Sequence, residues 1–262
     1  MQIQLKQQSA YAYTTGRDID PNKPTVMFVH GTGLNHTVWT LPARYFGRHG
    51  FNVLAVDLPG HGRSDGPLRP GIEGMADFLI EVLDALKIDQ AALVGHSMGS
   101  LVVFDAAARY PDRARSLALL GTALPMGVTD ALLESAKQNK HDAIDMLTIW
   151  GYSQSAQLGG NETPGMWMVG GTMRLFEQSD PGVIYNGLNA CNEYSDGLAR
   201  AQNIQCPSLL ILGDRDIMTP PFNAKQVAEK IPDSKTMILP GTGHSLMSEK
   251  PDAVLDALIT IV

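Results

Sequence analysis

Long apolar runs are absent from this sequence. Nowhere in its 262 residues does a hydrophobic stretch approach the ~20 residues that span a bilayer, so no transmembrane helix and no membrane partner are expected. Cysteine is scarce: Cys191 and Cys206 are the only two, and so few thiols in a chain of this length predict free side chains rather than a disulfide framework. Positive charge is short as well. Lys and Arg total 20 against 27 Asp and Glu, a formal net charge of −7, which disfavours a nucleic-acid or anionic-membrane surface and leaves small molecules as the expected partners. The histidines are scattered and no His/Cys/Asp cluster has the spacing of a ligand set, so neither a metal nor another cofactor is expected. Met1 to Lys6 has no basic start followed by an apolar stretch, as a secretory signal would, and a cytoplasmic location is the default expectation. The oligomeric state is left open.

What is present is an alternation of short apolar runs with helical periodicity. Thr25–Val29, Val53–Val56, Ala91–Val94, Ser116–Leu120, Ser208–Leu212 and Thr236–Leu239 are each nearly all apolar and closed by Gly, Asp or Pro. Continuous apolar strands of this kind belong in a sheet covered on both faces. Met75, Phe78, Leu79, Val82, Leu83 and Leu86 recur at the spacing of one helix face, as a helix packed on that sheet requires. Gln2–Leu5 and Ser9–Tyr13 are expected to form a leading antiparallel ribbon. The fold class is therefore α/β: a mostly parallel central sheet of about eight strands flanked by helices, with its chemistry at the carboxyl ends of the strands.

Between about Thr122 and Gly197 the pattern lapses, no buried strand is legible, and Gly, Met, Trp and Asn become frequent. This segment reads as an inserted helical cap, residues 122–197, on a core of residues 1–121 and 198–262. Helices are expected over Thr129–Asn139, Ala143–Trp150, Pro164–Phe176 and Pro181–Glu193, with Asp142 and Ser179 or Asp180 as starting caps.

The chemistry gathers in four places. Gly95-His96-Ser97-Met98-Gly99 lies between the Ala91–Val94 strand and an apolar helix over Leu101–Tyr110, the context of a nucleophile elbow. A serine hydroxyl attacks well only when a base takes its proton, so Ser97 must stand exposed on a tight turn beside an imidazole. His30-Gly31-Thr32-Gly33 ends the Thr25–Val29 strand and is placed to aim an N–H, that of Thr32, at a developing oxyanion, with the Met98 N–H as the second donor. Gly241-Thr242-Gly243-His244 follows the Thr236–Leu239 strand and supplies His244 as general base and acid. Gly213-Asp214-Arg215-Asp216 follows the Ser208–Leu212 strand, so either aspartate is a candidate to orient that imidazole. Spacing alone does not choose between them. The order Ser, Asp, His is the one this architecture uses.

Taken with Asp57-Leu58-Pro59-Gly60-His61-Gly62-Arg63-Ser64 and Gly243-His244 followed by Glu249-Lys250-Pro251, these motifs resemble the α/β-hydrolase superfamily, specifically its cap-bearing esterase-like members. The resemblance covers essentially the whole chain outside the cap. It implies that the acid is the aspartate four positions before a proline, which selects Asp216 with Pro220. It also implies that Asp57 shapes the site rim rather than reacting. Ser97 sets the chain apart from relatives that carry Asp as nucleophile. The activity expected is hydrolysis of a small carboxylic ester or lactone through an acyl-serine. Carbon–carbon bond hydrolysis, amide hydrolysis or peracid formation by the same triad are the alternatives, and a non-catalytic ligand receptor on the same scaffold is a third. Met146, Trp150, Trp167, Met168, Met173, Phe176 and Tyr185 offer an apolar roof. With His30, Gly31 and His96 below, Met146, Trp150, Trp167 and Met168 are the expected walls of a pocket for an uncharged acyl group, and Arg174 is a candidate contact for an acidic one.

Overall fold

In the computed structural model, which describes residues 1–6, 8–160, 162 and 165–262, the chain alternates strands and helices from its third strand on. The leading ribbon is β1 (Gln2–Gln4) and β2 (Ser9–Tyr13), followed by β3 (Thr25–Val29), α1 (Thr40–Arg48), β4 (Asn52–Asp57), α2 (Gly71–Ala85), β5 (Ala91–His96), α3 (Met98–Arg109) and β6 (Ala114–Leu120). Five helices come next: α4 (Asp130–Lys137), α5 (His141–Trp150), α6 (Gln154–Gln157), α7 (Met168–Glu177) and α8 (Val183–Glu193). The chain then returns to the sheet with β7 (Ser208–Gly213), α9 (Pro221–Lys230), β8 (Ser234–Leu239), α10 (Leu246–Glu249) and α11 (Pro251–Ile259).

The eight strands lie in the order β1-β2-β4-β3-β5-β6-β7-β8, with β1 and β2 antiparallel and the rest parallel. Period-two alternation splits each central strand between two cores. Met27, Val29, Leu54, Val56 and Leu93 face the core made with α2, α3 and α9, whereas Val26, Phe28, Val53, Ala55 and Val94 face the one made with α1 and α11. Both faces are covered, so the central residues of β3 to β7 are mainly apolar. The order reverses beside β3, which pairs with β4 on one side and β5 on the other. That switch point opens the crevice where ligand chemistry sits in open α/β sheets.

Two expectations need correction. The Thr236–Leu239 run is an edge strand whose Lys235 to Ile238 are exposed, because among the described residues β8 pairs with β7 alone and little covers its faces. The starting caps also differ. The α5 helix begins at His141 without a side-chain cap, placing Asp142 inside its first turn, and α8 follows Gly182, whose φ of 86° makes the entry turn in place of Ser179 or Asp180. Thr129 does cap α4 through the Leu132 N–H. The Pro164 start foreseen for the third of these helices lies outside the described residues, and α7 begins at Met168. Leu132, Ala136, Ala143, Leu147, Phe176 and Leu188 pack α4, α5, α7 and α8 into a small core of their own. Among the described residues, no helix is long and apolar enough to cross a membrane.

Candidate active site

Ser97 stands between β5 and α3 with φ 54° and ψ −124°, a left-handed conformation that a non-glycine residue adopts only when its surroundings impose it. They do. A Cβ on Gly95 would come within 2.1 Å of the Gly99 carbonyl oxygen, and one on Gly99 within 2.4 Å of Val29 O. Only glycines allow α3 to start that close to β5 and β3, and the resulting turn lifts Ser97 into the cavity at the sheet's carboxyl edge. The Ser97 N–H donates to Leu120 O at 2.9 Å, and its own carbonyl accepts from Ser100 N and Oγ, so the turn is fixed from both sides.

His244 arrives from the loop after β8 and is buried, with only 4% of its surface exposed. Its Nδ1 lies 2.7 Å from Asp216 Oδ2, and its Nε2 has no partner among the described residues. Asp216, in the turn after β7, also accepts from Met218 N, Thr219 N and Thr219 Oγ1 at 2.9, 2.8 and 2.6 Å. Burial alone would raise this carboxyl, but the adjoining His244 and the hydrogen bonds outweigh it and hold the group at about 2. Asp214 is elsewhere: it is partly exposed and accepts from Thr242 N at 3.3 Å. Thr219 carries no motif of its own in the sequence; the legible signal is Asp216 itself, a residue type whose side chain accepts from the backbone two residues on, here Met218 N.

The His30–Gly33 loop runs beside the elbow. His30 is fully buried and both ring nitrogens are engaged: Nε2 accepts from Leu58 N at 3.0 Å, which makes Nδ1 the protonated nitrogen donating to Gly31 O at 2.8 Å. It buttresses the loop from behind and forms no part of the pocket wall expected of it. The loop is pinned from above as well, since Ser179 Oγ donates to Gly33 O at 2.9 Å, and a Cβ on Gly187 of α8 would meet both Thr32 and Met98 side chains within 2.9 Å. Met98 opens α3, so its N–H has no intrahelical acceptor. His96 donates Nε2–H to His244 O at 2.8 Å; burial, then the neighbouring His244, push its imidazole down to about 3, so it stays neutral.

A cavity of about 320 Å³ joins these parts, with Gly31, Thr32, His96, Ser97, Thr219 and His244 on its floor. Leu132, Leu147, Trp150, Phe176, Leu188 and Cys191 wall it from the helical segment, and Ile217 and Met218 from the acid loop. Among the described residues, no Asp, Glu, Lys or Arg side chain lines it, and its ionisable groups are the imidazoles of His96 and His244 and the Cys191 thiol. Of the expected walls, Gly31, His96 and Trp150 are there, but Met146, Trp167 and Met168 are not. Met146 packs in the segment's own core, Met168 is buried with Tyr152 and Ala156, and Trp167 is 69% exposed with its indole laid on Gly170. Arg174 pairs with Glu177 on the surface. The walls missed from α8, Leu188 and Cys191, follow Ile184 at the spacing of one helix face, a signal present in the sequence. Among the described residues, no group of three or more His, Cys, Asp or Glu is placed to hold a metal.

Comparison with known proteins places this geometry in context. A family profile described as alpha/beta hydrolase fold matches residues 24–163. The chain is 32% identical over 241 residues to a pimeloyl-[acyl-carrier protein] methyl ester esterase of Chromobacterium violaceum, covering 88% of this chain and 91% of that protein. It is 26% identical to a bifunctional esterase/perhydrolase of Acinetobacter calcoaceticus, over 91% of both. The crystal structure of the enol-lactonase from Burkholderia xenovorans LB400 has the same fold, with a TM-score of 0.88 at 22% identity over 99% of this chain and 98% of that one.

Proposed function

This chain belongs to the alpha/beta hydrolase family and is a hydrolytic enzyme, and from that premise we propose that it cleaves a small, uncharged carboxylic ester or lactone through an acyl-serine intermediate. Ser97 Oγ attacks the acyl carbon while His244 Nε2 takes its proton, which then leaves with the alcohol. A water that gives its proton to the same imidazole attacks the acyl-serine, the bond to Ser97 Oγ breaks to release the acid, and the imidazole passes the proton to Ser97 Oγ. Asp216 keeps the imidazole in the tautomer whose free Nε2 faces the cavity. The N–H groups of Met98 and Thr32 receive the negative charge that develops on the carbonyl oxygen, each contributing about 3 kcal/mol in the transition state. Residues 122–197 act as a cap on the core formed by residues 1–121 and 198–262, supplying the apolar wall against the acyl group.

The observation that carries this reading is the 2.7 Å approach of His244 Nδ1 to Asp216 Oδ2 in the cavity that Ser97 also lines. The likeness to the Chromobacterium methyl ester esterase supports the substrate class. The test is labelling with a fluorophosphonate alongside turnover of short p-nitrophenyl esters. Wild-type protein is expected to be labelled and active; Ser97→Ala is expected to be folded, unlabelled and inactive, and His244→Ala inactive. Unlabelled wild type that is properly folded sinks the proposal. Peracid formation is a second reading favoured by the Acinetobacter relative's name, with hydrogen peroxide replacing water in the second step.

A further inference from the structure

Four carboxylates are among the buried residues: Asp57, Asp105, Asp216 and Glu249. Three have a cationic or imidazole partner. Asp57 meets His36, Asp105 meets Arg109 and Arg200, and Asp216 meets His244. Glu249, the last residue of α10 and 4% exposed, has none among the described residues. Its Oε1 instead accepts two backbone N–H groups, Gly243 at 3.1 Å and Ser153 at 3.2 Å. A carboxylate kept from water without a countercharge is costly, so the local geometry must depend on the two bonds that compensate it.

Those two donors lie 90 residues apart in the chain and belong to the two halves of the site. Gly243 immediately precedes His244. Ser153 follows α5, whose Leu147 and Trp150 line the cavity. The contact is backbone-close: a Cβ on Gly243 would lie 2.5 Å from Ser153 N and 2.7 Å from Glu249 Oε1. Two further bonds finish the fastening, from Ser245 N to Gly151 O at 2.8 Å and from His96 Nε2 to His244 O at 2.8 Å. His244 is thus held through the N–H before it, its own carbonyl and the N–H after it.

We propose that Glu249 is a positioning residue for the hydrolysis, fixing the peptide that carries His244 against the 151–153 segment. This rests on His244 being the general base. Glu249 touches neither the imidazole nor the cavity; it acts through the backbone.

The test compares Glu249→Gln, Glu249→Asp and Glu249→Leu with His244→Ala, reading kcat and KM on a p-nitrophenyl ester and the rate of fluorophosphonate labelling. Glu249→Gln keeps an acceptor oxygen in place and is expected to retain kcat within about threefold of wild type. Glu249→Leu removes it and is expected to lose about 100-fold in kcat, with labelling slowed in parallel and KM changed by less than about threefold. Should the Leu variant not fold, Glu249→Asp decides, since it withdraws the acceptor by one methylene and is expected to lose about tenfold in kcat. A folded Leu or Asp variant with wild-type kcat, or a Gln variant as impaired as Leu, overturns the positioning role. Turnover by His244→Ala would overturn the base assignment instead, so the two failures are distinguishable.

Discussion

Asp216 Oδ2 sits 2.7 Å from His244 Nδ1, and Thr219 Oγ1 reaches both, at 2.6 Å to the carboxylate oxygen and 3.1 Å to the ring nitrogen. An amide at position 216 would offer its NH₂ or a weaker acceptor to the imidazole and so lose the charge that stabilises the protonated ring. Asp216→Asn is therefore expected to lower kcat by about 10³-fold or more with the fold retained. Asp214→Asn keeps the acceptor used by Thr242 N and is expected to stay within about threefold. The reverse ranking, measured on p-nitrophenyl acetate, would move the acid to Asp214.

The sequence made much of this arrangement legible, for identifiable reasons. Val26, Phe28 and Val94 and their neighbours read as strands because a strand covered on both faces has no polar side to break the apolar run. The elbow read clearly because its residues are contiguous, Gly95 to Gly99, although Gly99 is set by the backbone of Val29 and His30 from a different strand end. The choice between Asp214 and Asp216 came from resemblance, since both occupy one loop and only tertiary geometry separates them. The pocket walls were harder. Trp150 lines the cavity and Met146, one turn before it, does not, because the rotation of α5 against α4 and α7 is fixed by side-chain packing. Glu249 was visible only as part of a family motif, for its partner Ser153 is joined by a contact 96 residues distant.

The buried histidines are expected to lower stability on acidification before the carboxylates do. Burial, then the neighbouring His30, hold His61 at about 3; burial, then His244, do the same to His96, and His30 is also lowered by burial. In the unfolded chain each imidazole takes a proton near about 6.5. The unfolded state therefore binds more protons below that value, and stability falls as pH drops from about 6.5 towards 3 by about 1.4 kcal/mol per pH unit per histidine. The urea midpoint is expected to fall between neutrality and about pH 5, before most carboxylates titrate, and less steeply in His61→Gln. A midpoint unchanged over that range would contradict the neutral assignment of these rings.

Gly187 allows stability and activity to be separated. It lies in α8, where alanine favours the helix over glycine by about 1 kcal/mol. The added Cβ would lie 2.8 to 2.9 Å from Thr32 Cγ2, Thr32 Oγ1 and Met98 Sδ. The methionine can give way, but Thr32 is buried and carries one of the proposed oxyanion donors. Gly187→Ala is expected to unfold at or near the wild-type temperature while losing about tenfold in kcat, because a small displacement of a donor weakens the transition state more than the fold. Equal losses in melting temperature and kcat would show that the residue serves packing alone.

Charge is expected to discriminate between substrates before the pocket does. Residues 122–197 hold nine Asp and Glu against three Lys and Arg, nearly the whole net charge of −7 in under a third of the chain. Of those three cations Arg174 is paired with Glu177, and among the described residues no Lys or Arg lines the cavity to receive an anion. An anionic ester must approach through this negative field and then lose its hydration in an apolar site, whereas a neutral ester of the same length meets neither cost. For a matched pair, a neutral methyl ester and one ending in a free carboxylate, kcat/KM is expected to favour the neutral ester by at least about tenfold. Part of that gap comes from long-range repulsion, which salt screens beyond about 10 Å at 0.1 M, so it should narrow as ionic strength rises. A preference for the carboxylate-bearing ester at low salt would mean that a cation reaches the site and that the field of the helical segment does not govern access.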